Sequence, residues 1–279
     1  MRAAAQRCLA VGFFDGVHLG HQAILRGADA ALTFRRHPLE VLCPARAPKL
    51  LMSVDERVAA IRACGVADVT VLDFTAAFAQ MPAADFVGFL KEAAGGTLPR
   101  VRCGENWRFG AGGAGDAAFL RARGVEAEVV GYAAHRGERI SSSRIRRCLA
   151  EGQVEDANAM LGRRYGVRGK VVRGKGVGRG MGYPTLNLDV GRPLNLRLGV
   201  YAVELGGARG VATYGFAPTM GERAWTTPTL EVHVLGDCDC AASPEVAVEF
   251  VRFLRPERAF ASVEELRRQM AADCERARA

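Results

Sequence analysis

Along the first half of the chain, short apolar runs alternate with stretches whose hydrophobic residues recur at helical spacing. Leu9 to Val11 suits a buried parallel strand, and a glycine-punctuated turn, GFFDGVHLGH from Gly12 to His21, follows it. Gln22 to Ala30 leaves room only for a short helix before Ala31 to Phe34 reads as a second strand, and Pro38 interrupts regular structure in TFRRHP. Ser53 with Glu56 spells a capping box for a helix running to about Cys64. Val69 to Phe74 reads as a buried strand, and Ala83 to Ala94 as a helix stopped by Gly95 and Gly96. Val101 starts another strand, and Val125 to Tyr132 supplies one more. Such alternation predicts a doubly wound parallel α/β sheet, whose ligands bind at the C-terminal ends of the strands.

Beyond Leu161 the texture changes to short strands separated by glycine and proline, which predicts a compact antiparallel β-barrel. A terminal helix is expected from Ser262, with Glu265 completing a capping box and Val263, Leu266 and Met270 covering the barrel. The change of texture puts a boundary near Ala157 to Gly162, dividing the chain into domains 1–158 and 159–279. A length of 279 residues is enough for two separate cores.

Charge alters this picture locally. Much of the basic character behind the net charge of +8 lies at Arg163, Arg164, Arg168, Lys170, Arg173, Lys175 and Arg179, with no acid between Asp156 and Asp189. Phosphates attract such a stretch. Few aromatics accompany it and no RNA-binding motif is visible, so phosphate-bearing small molecules are the expected partners and nucleic acid is not. The 8 cysteines stand singly apart from Cys238 and Cys240, without CxxC spacing, and read as reduced and cytoplasmic. No run approaches the ~20 apolar residues needed to span a bilayer, so no membrane association is expected. The apolar run after Arg2 and Arg7 soon meets Asp15 and has no cleavage site, which makes it a strand rather than a signal.

Candidate chemistry begins in the opening turn. Gly12 and Gly16 let backbone approach a ligand, and His18 and His21 share a face where a helix begins. Free N–H groups and a positive dipole end there suit a polyphosphate. Zinc is the weaker reading, because HLGH lacks the acidic residue and longer spacing of metalloprotease helices and no cysteine stands nearby; ordinary surface histidines are the other alternative. Cys103 to Gly115 contains a formal GxGxxG from Gly110, but Trp107 and Phe109 precede it rather than a strand, so it reads as a flexible loop. Ser141 to Ser143 ahead of Arg144, Arg146 and Arg147 form either an anion site at a helix start or an N-cap with solvated arginines. GKVVRGKG from Gly169 nearly matches a P-loop, yet Gly176 replaces the required hydroxyl and Val171 and Val172 read as strand. Thr185 and Asn187, two apart in an extended segment, turn oxygen-bearing side chains the same way, as Mg²⁺ on a nucleotide would want. Alternation from Thr229 to Leu235 sends Glu231, His233 and Leu235 to one face, which by itself fits a solvent-facing strand.

GFFDGVHLGH, TFRRHP, GENWRFG and ISSSRIR occur in an order that resembles the FMN adenylyltransferase module of prokaryotic bifunctional riboflavin kinase/FAD synthetases. The glycine-basic loop with PTLN, then GVYAVEL, LEVHVL and the capped terminal helix, resembles the riboflavin kinase module, so the likeness covers nearly the whole chain. It implies two MgATP-dependent reactions on riboflavin and FMN. His18 and His21 would stabilise charge at the transferred phosphate. Gly12, Phe13, Asp15, Gly16, Gly20, Ser141, Ser142, Ser143 and Arg144 would hold ATP, and His37, Asn106 and Trp107 the flavin. In the second module Gly169, Gly174, Lys175, Gly176, Arg179 and Thr185 would hold ATP, Thr185 and Asn187 Mg²⁺, and Glu231 would be the base for the ribityl 5′-hydroxyl. Departures from the family pattern are the short segment after His21, Arg35 and Asn106 where acids are common, and Ala217 in place of an arginine. They define the alternative, a riboflavin kinase with an impaired or repurposed first domain. A flavin- or nucleotide-binding regulator without turnover is the remaining reading, and the joint presence of His18, His21, Thr185, Asn187 and Glu231 argues against it.

Overall fold

Five parallel strands, β1 (Cys8–Val11), β2 (Ala30–Phe34), β3 (Asp68–Leu72), β4 (Arg100–Gly104) and β5 (Ala127–Val130), form a sheet in the spatial order β3-β2-β1-β4-β5. They belong to the first of two units, Met1–Ser142 and Ser143–Ala279, in a computed structural model that describes residues 6–173, 182–216, 228–236 and 243–279. β1 is central because every side chain in it is apolar and buried: Leu9 and Val11 enter one core with Leu32, Phe86, Leu90 and Val101, while Cys8 and Ala10 enter another with Ile24, Leu25 and Ile61. Helices α1 (Leu19–Leu25) and α3 (Val54–Ala63) supply the second core, and α5 (Ala83–Ala93) and α6 (Ala117–Arg121) the first. Short helices α2 (Pro38–Leu42) and α4 (Ala76–Ala79) lie in the connections before and after β3. The succession of strands runs outward from β1 to β3 on one side and from β4 to β5 on the other. Its reversal point is therefore between the C-terminal ends of β1 and β4, where open α/β sheets bind ligands.

Several local signals act as expected. Ser53 accepts a hydrogen bond from Glu56 N–H at 3.2 Å and the Glu56 carboxylate accepts from Ser53 N–H at 2.7 Å, closing the box on α3. Two differences concern strands. β3 is an edge strand whose alternate residues are exposed, because it pairs only with β2, and it is not the buried strand expected from its β-branched residues. β5 stops at Val130, and a small hairpin of β6 (Ala134–His135) and β7 (Glu138–Arg139) follows it around Arg136 and Gly137, both at positive φ.

The second unit begins at Ser143, within α7 (Ser142–Glu151), and continues through α8 (Val154–Leu161) into a closed antiparallel barrel. Its strands are β8 (Tyr165–Val172), β9 (Thr185–Asp189), β10 (Gly199–Leu205), β11 (Ala208–Gly215), β12 (Thr229–Val234) and β13 (Glu245–Arg255), in the order β10-β11-β12-β9-β8-β13. Tyr201, Val203, Val232, Val248 and Phe250 are buried. α8 is fastened to the barrel by Asn158, whose Nδ2 donates to the Phe250 carbonyl at 2.9 Å and whose Oδ1 accepts from Tyr165 N–H at 2.7 Å.

The terminal helix α9 (Val263–Arg278) is seated differently from its sequence pattern. Val263 is exposed, Leu266 and Met270 are half-buried, and the buried residues are Asp273, Cys274 and Ala277. Arg255 on β13 decides this register: its Nε and Nη2 donate to the Asp273 carboxylate at 2.9 and 2.8 Å, a bidentate pair that fixes the last turns of α9 rather than the first. At the other end Ser262 accepts from Glu265 N–H, while the Glu265 carboxylate accepts from Ala261 N–H at 3.0 Å, one residue before the expected partner of the box.

Candidate active sites

The end of β1 turns into α1 through a backbone with unusual torsions. Phe14 and Val17 adopt positive φ without being glycine, at 58° and 40°, and Gly16 between them lies at 82°. The turn is held from several sides. Thr33 Oγ1 donates to the Phe13 carbonyl at 2.8 Å, Gln22 Nε2 to the Val17 carbonyl at 3.0 Å, and the buried Asp15 carboxylate accepts from Leu51 N–H at 2.9 Å. Ser142 Oγ donates to the Asp15 carbonyl at 2.8 Å, which brings the first residue of α7 to this turn.

His18 is the N-cap of α1. Its Nδ1 accepts from His21 N–H at 3.3 Å, so as a neutral ring it carries its proton on Nε2. The two imidazoles stack at 3.6 Å between centroids with 17° between planes, and Phe14 meets His21 edge-on at 5.4 Å. Burial, and secondarily the His18 charge, hold His21 well below its ordinary value of 6.5. Its Nδ1 is buried and has no hydrogen-bond partner among the described residues. α1 has only 7 residues, so its macrodipole is short and the paired rings dominate the polar character of this turn. Gly20 is glycine for a packing reason: a Cβ there would stand 3.2 Å from the His18 ring, and at Gly12 one would meet the Phe14 ring at 2.9 Å.

His37 caps α2, its Nδ1 accepting from Leu39 N–H at 3.1 Å, and its ring meets Phe13 edge-on at 4.8 Å. Arg35 is ion-paired with Asp73 at 3.1 Å on the surface. After β4, Asn106 is exposed and Trp107 packs at 4.8 Å against Phe109. The glycine-rich stretch beyond them is a packed loop rather than a flexible one. Phe109 and Gly115 bridge, Ala111 N–H donates to the Met81 carbonyl at 2.8 Å, and a Cβ on Gly110 would come within 2.7 Å of Ala83 backbone.

One residue beside the turn was not legible as anything but a helix-face charge. Arg57 on α3 is 0% exposed, with its guanidinium 4.2 Å from the Phe13 ring centroid and Nη2 donating to the Phe34 carbonyl. Burial lowers its pKa, and the nearby charges of Asp15 and Glu40 oppose that shift. Sequence spacing gives no signal for it, because its burial depends on Phe13 and the end of β2.

In the barrel, antiparallel pairing of β9 and β12 sets Asn187 opposite Glu231 and Thr185 opposite His233. All four are half-buried on one face, while Leu188, Leu230 and Val232 of the alternate set are buried. β11 adds Thr213 opposite Glu231. His233 Nδ1 lies 2.8 Å from the Pro184 carbonyl, and its ring meets Tyr183 edge-on at 5.2 Å. Gly169 lies within β8 opposite Val246, where a Cβ would stand 3.0 Å from Leu188 Cβ. Gly174, Lys175, Gly176 and Arg179 lie outside the described residues, as does Ala217.

Comparison with known proteins matches both halves. A family model described as FAD synthetase matches residues 1–144, and one described as riboflavin kinase matches residues 161–279. The bifunctional riboflavin kinase/FMN adenylyltransferase of Escherichia coli (strain K12) is 33% identical over 289 residues, covering 95% of this chain and 90% of that protein. The proteins of the same description from Listeria monocytogenes and Bacillus subtilis are 32% and 30% identical, each covering 96% of this chain and 90% of theirs. A crystal structure described as a macrolide-efflux protein from Streptococcus pneumoniae superposes with a TM-score of 0.85 at 29% identity, over 99% of this chain and 95% of that one. In this chain, no helix among the described residues is long and apolar enough to cross a membrane.

Proposed function

Because the chain belongs to the family of bifunctional riboflavin kinases/FMN adenylyltransferases, we propose that each of its two family-matched stretches carries one of the two reactions with the residues described above. The protein is an enzyme of flavin cofactor synthesis. It phosphorylates riboflavin to FMN with ATP and adenylylates FMN to FAD with release of pyrophosphate. Support for the assignment of sites comes above all from the stacked His18 and His21 at the strand reversal point in the FAD synthetase stretch, and from Glu231 opposite Asn187 in the riboflavin kinase stretch. We place the enzyme in the cytoplasm, where its free cysteines stay reduced.

In the adenylylation step an FMN phosphate oxygen attacks the α-phosphorus of ATP, and charge builds on the phosphate oxygens as pyrophosphate leaves. His18, with its proton on Nε2, donates toward that charge, and neutral His21 stacks behind it and offers a second N–H. Gly12, Phe13, Asp15, Gly16 and Gly20 shape the turn that receives ATP; Ser141, Ser142, Ser143 and Arg144 grip the departing phosphates. His37, Asn106 and Trp107 receive the flavin.

In the phosphorylation step Glu231 takes the proton of the ribityl 5′-hydroxyl as the γ-phosphoryl is transferred. Thr185 and Asn187 present hard oxygen donors on the face that carries Glu231, a donor set that fits Mg²⁺. When bound with ATP, that ion supplies neutralisation of phosphate charge. Gly169, Gly174, Lys175, Gly176 and Arg179 complete the nucleotide site. The test is to incubate the pure protein with ATP, Mg²⁺ and either riboflavin or FMN, and to separate the flavins. FAD from both substrates is the expected result; FMN from riboflavin with no FAD from FMN would leave a kinase alone.

A further inference from the structure

Arg57, Phe13 and His37 form a continuous line of contacts across three segments of the α/β unit: the guanidinium covers Phe13 at 4.2 Å, and Phe13 meets the His37 ring edge-on at 4.8 Å and 76°. The arginine also ties down the end of β2, since its Nη2 donates to the Phe34 carbonyl and, at 3.4 Å, to that of Arg35. Phe13 is fixed from the same strand by Thr33, and His37 by Glu40, whose carboxylate accepts from His37 N–H at 2.9 Å. Nε and Nη1 of Arg57 are buried and have no hydrogen-bond partner among the described residues. A buried cation so incompletely bonded is costly for stability, and an apolar side chain of the same volume would fill the space at lower cost. Its contribution therefore lies in the geometry it imposes.

We propose that Arg57 is a positioning residue for FMN adenylylation, setting the spacing of Phe13 and His37 and through them the seats of ATP and FMN. The proposal rests on the assignment of Phe13 and His37 to that site. Full-length Arg57→Met and Arg57→Lys are assayed for both activities on the same preparations. Met removes the cation, and KM for ATP and FMN rises by about tenfold with a smaller change in kcat. Lys keeps a cation and a donor but loses the flat face over Phe13, so KM rises by about threefold. Riboflavin phosphorylation stays at the wild-type rate in both. Adding Arg57→Met to Phe13→Leu raises KM no further, because the arginine acts through that ring. A purely structural role would lower kcat in proportion to lost folded protein and leave KM unchanged; that result, or additive effects in the double variant, overturns the proposal. If Met prevents the unit from folding, the KM of the Lys variant decides. His21→Ala is the control: FAD formation untouched by it would mean that the site itself is misplaced, whatever Arg57 does.

Discussion

His21 and Glu231 differ in what surrounds them, and that difference sets what each substitution should do. Glu231→Gln keeps shape but removes the base, so riboflavin phosphorylation should fall by about 10²–10⁴-fold while FMN adenylylation persists. His21→Ala should lower FAD formation from FMN by about 10²–10³-fold and spare the kinase. Flavin chromatography on both variants separates these outcomes, and equal loss of both activities in either one would refute the division of labour. His21 also carries a pH dependence. Its folded pKa lies well below 6.5, chiefly because it is buried, so below about pH 6.5 the unfolded chain binds a proton that the folded one does not. Stability is full above that pH and is lost as pH falls toward the folded value. Between about pH 7.5 and about pH 5.5 the melting temperature of the wild type should therefore drop more than that of His21→Gln; parallel slopes would contradict the buried neutral ring.

At the scale of elements, local signals that need only neighbours in sequence were legible, and signals that need a distant partner were not. The Ser53–Glu56 box, the stop at Gly95 and Gly96, and the short α1 all follow from adjacent residues. The same-face reading of Thr185 with Asn187, and of Glu231 with His233, follows from strand periodicity, although only the β9–β12 register brings the two pairs together. β3 looked buried because β-branched residues signal a strand without saying whether it has one neighbour or two. α9 shows the same limit, since Asp273 is polar in sequence and is buried where Arg255 and Gln269 meet its carboxylate. In the loop after β4, the need for glycine arises from Ala83, far away in the chain. Gly110 sits at φ 74°, and Gly110→Ala would force a Cβ onto α5 backbone. The substitution should cost about 2–3 kcal/mol and lower the temperature at which FMN adenylylation is lost, with kinase activity unchanged. An unaltered inactivation temperature would show that this loop is not packed as described.

At the scale of the whole molecule, the residues between the two family matches are the informative ones. Contacts divide the chain at 142/143, and the riboflavin kinase match begins at 161. α8 lies between these points and buries Val154, Ala157, Met160 and Leu161, with Asn158 bonded to the barrel on both its amide atoms. A fragment of residues 143–279 should phosphorylate riboflavin, whereas one of residues 159–279 should melt at a much lower temperature, because it has lost most of that helix. Equal melting temperatures would remove α8 from the barrel's stable unit. The two sheets also differ in how their backbones end. The barrel closes on itself, so among the described residues none of its strands is an edge offering a free ladder of N–H and C=O groups to another chain. The open sheet has two such margins, β3 and β5, and each bears ion pairs: Asp68 with Arg7, and Glu128 with Arg100 and Arg102. Protection against strand-to-strand aggregation is thus a matter of topology in one unit and of charge in the other, and only the second kind can be titrated or screened away.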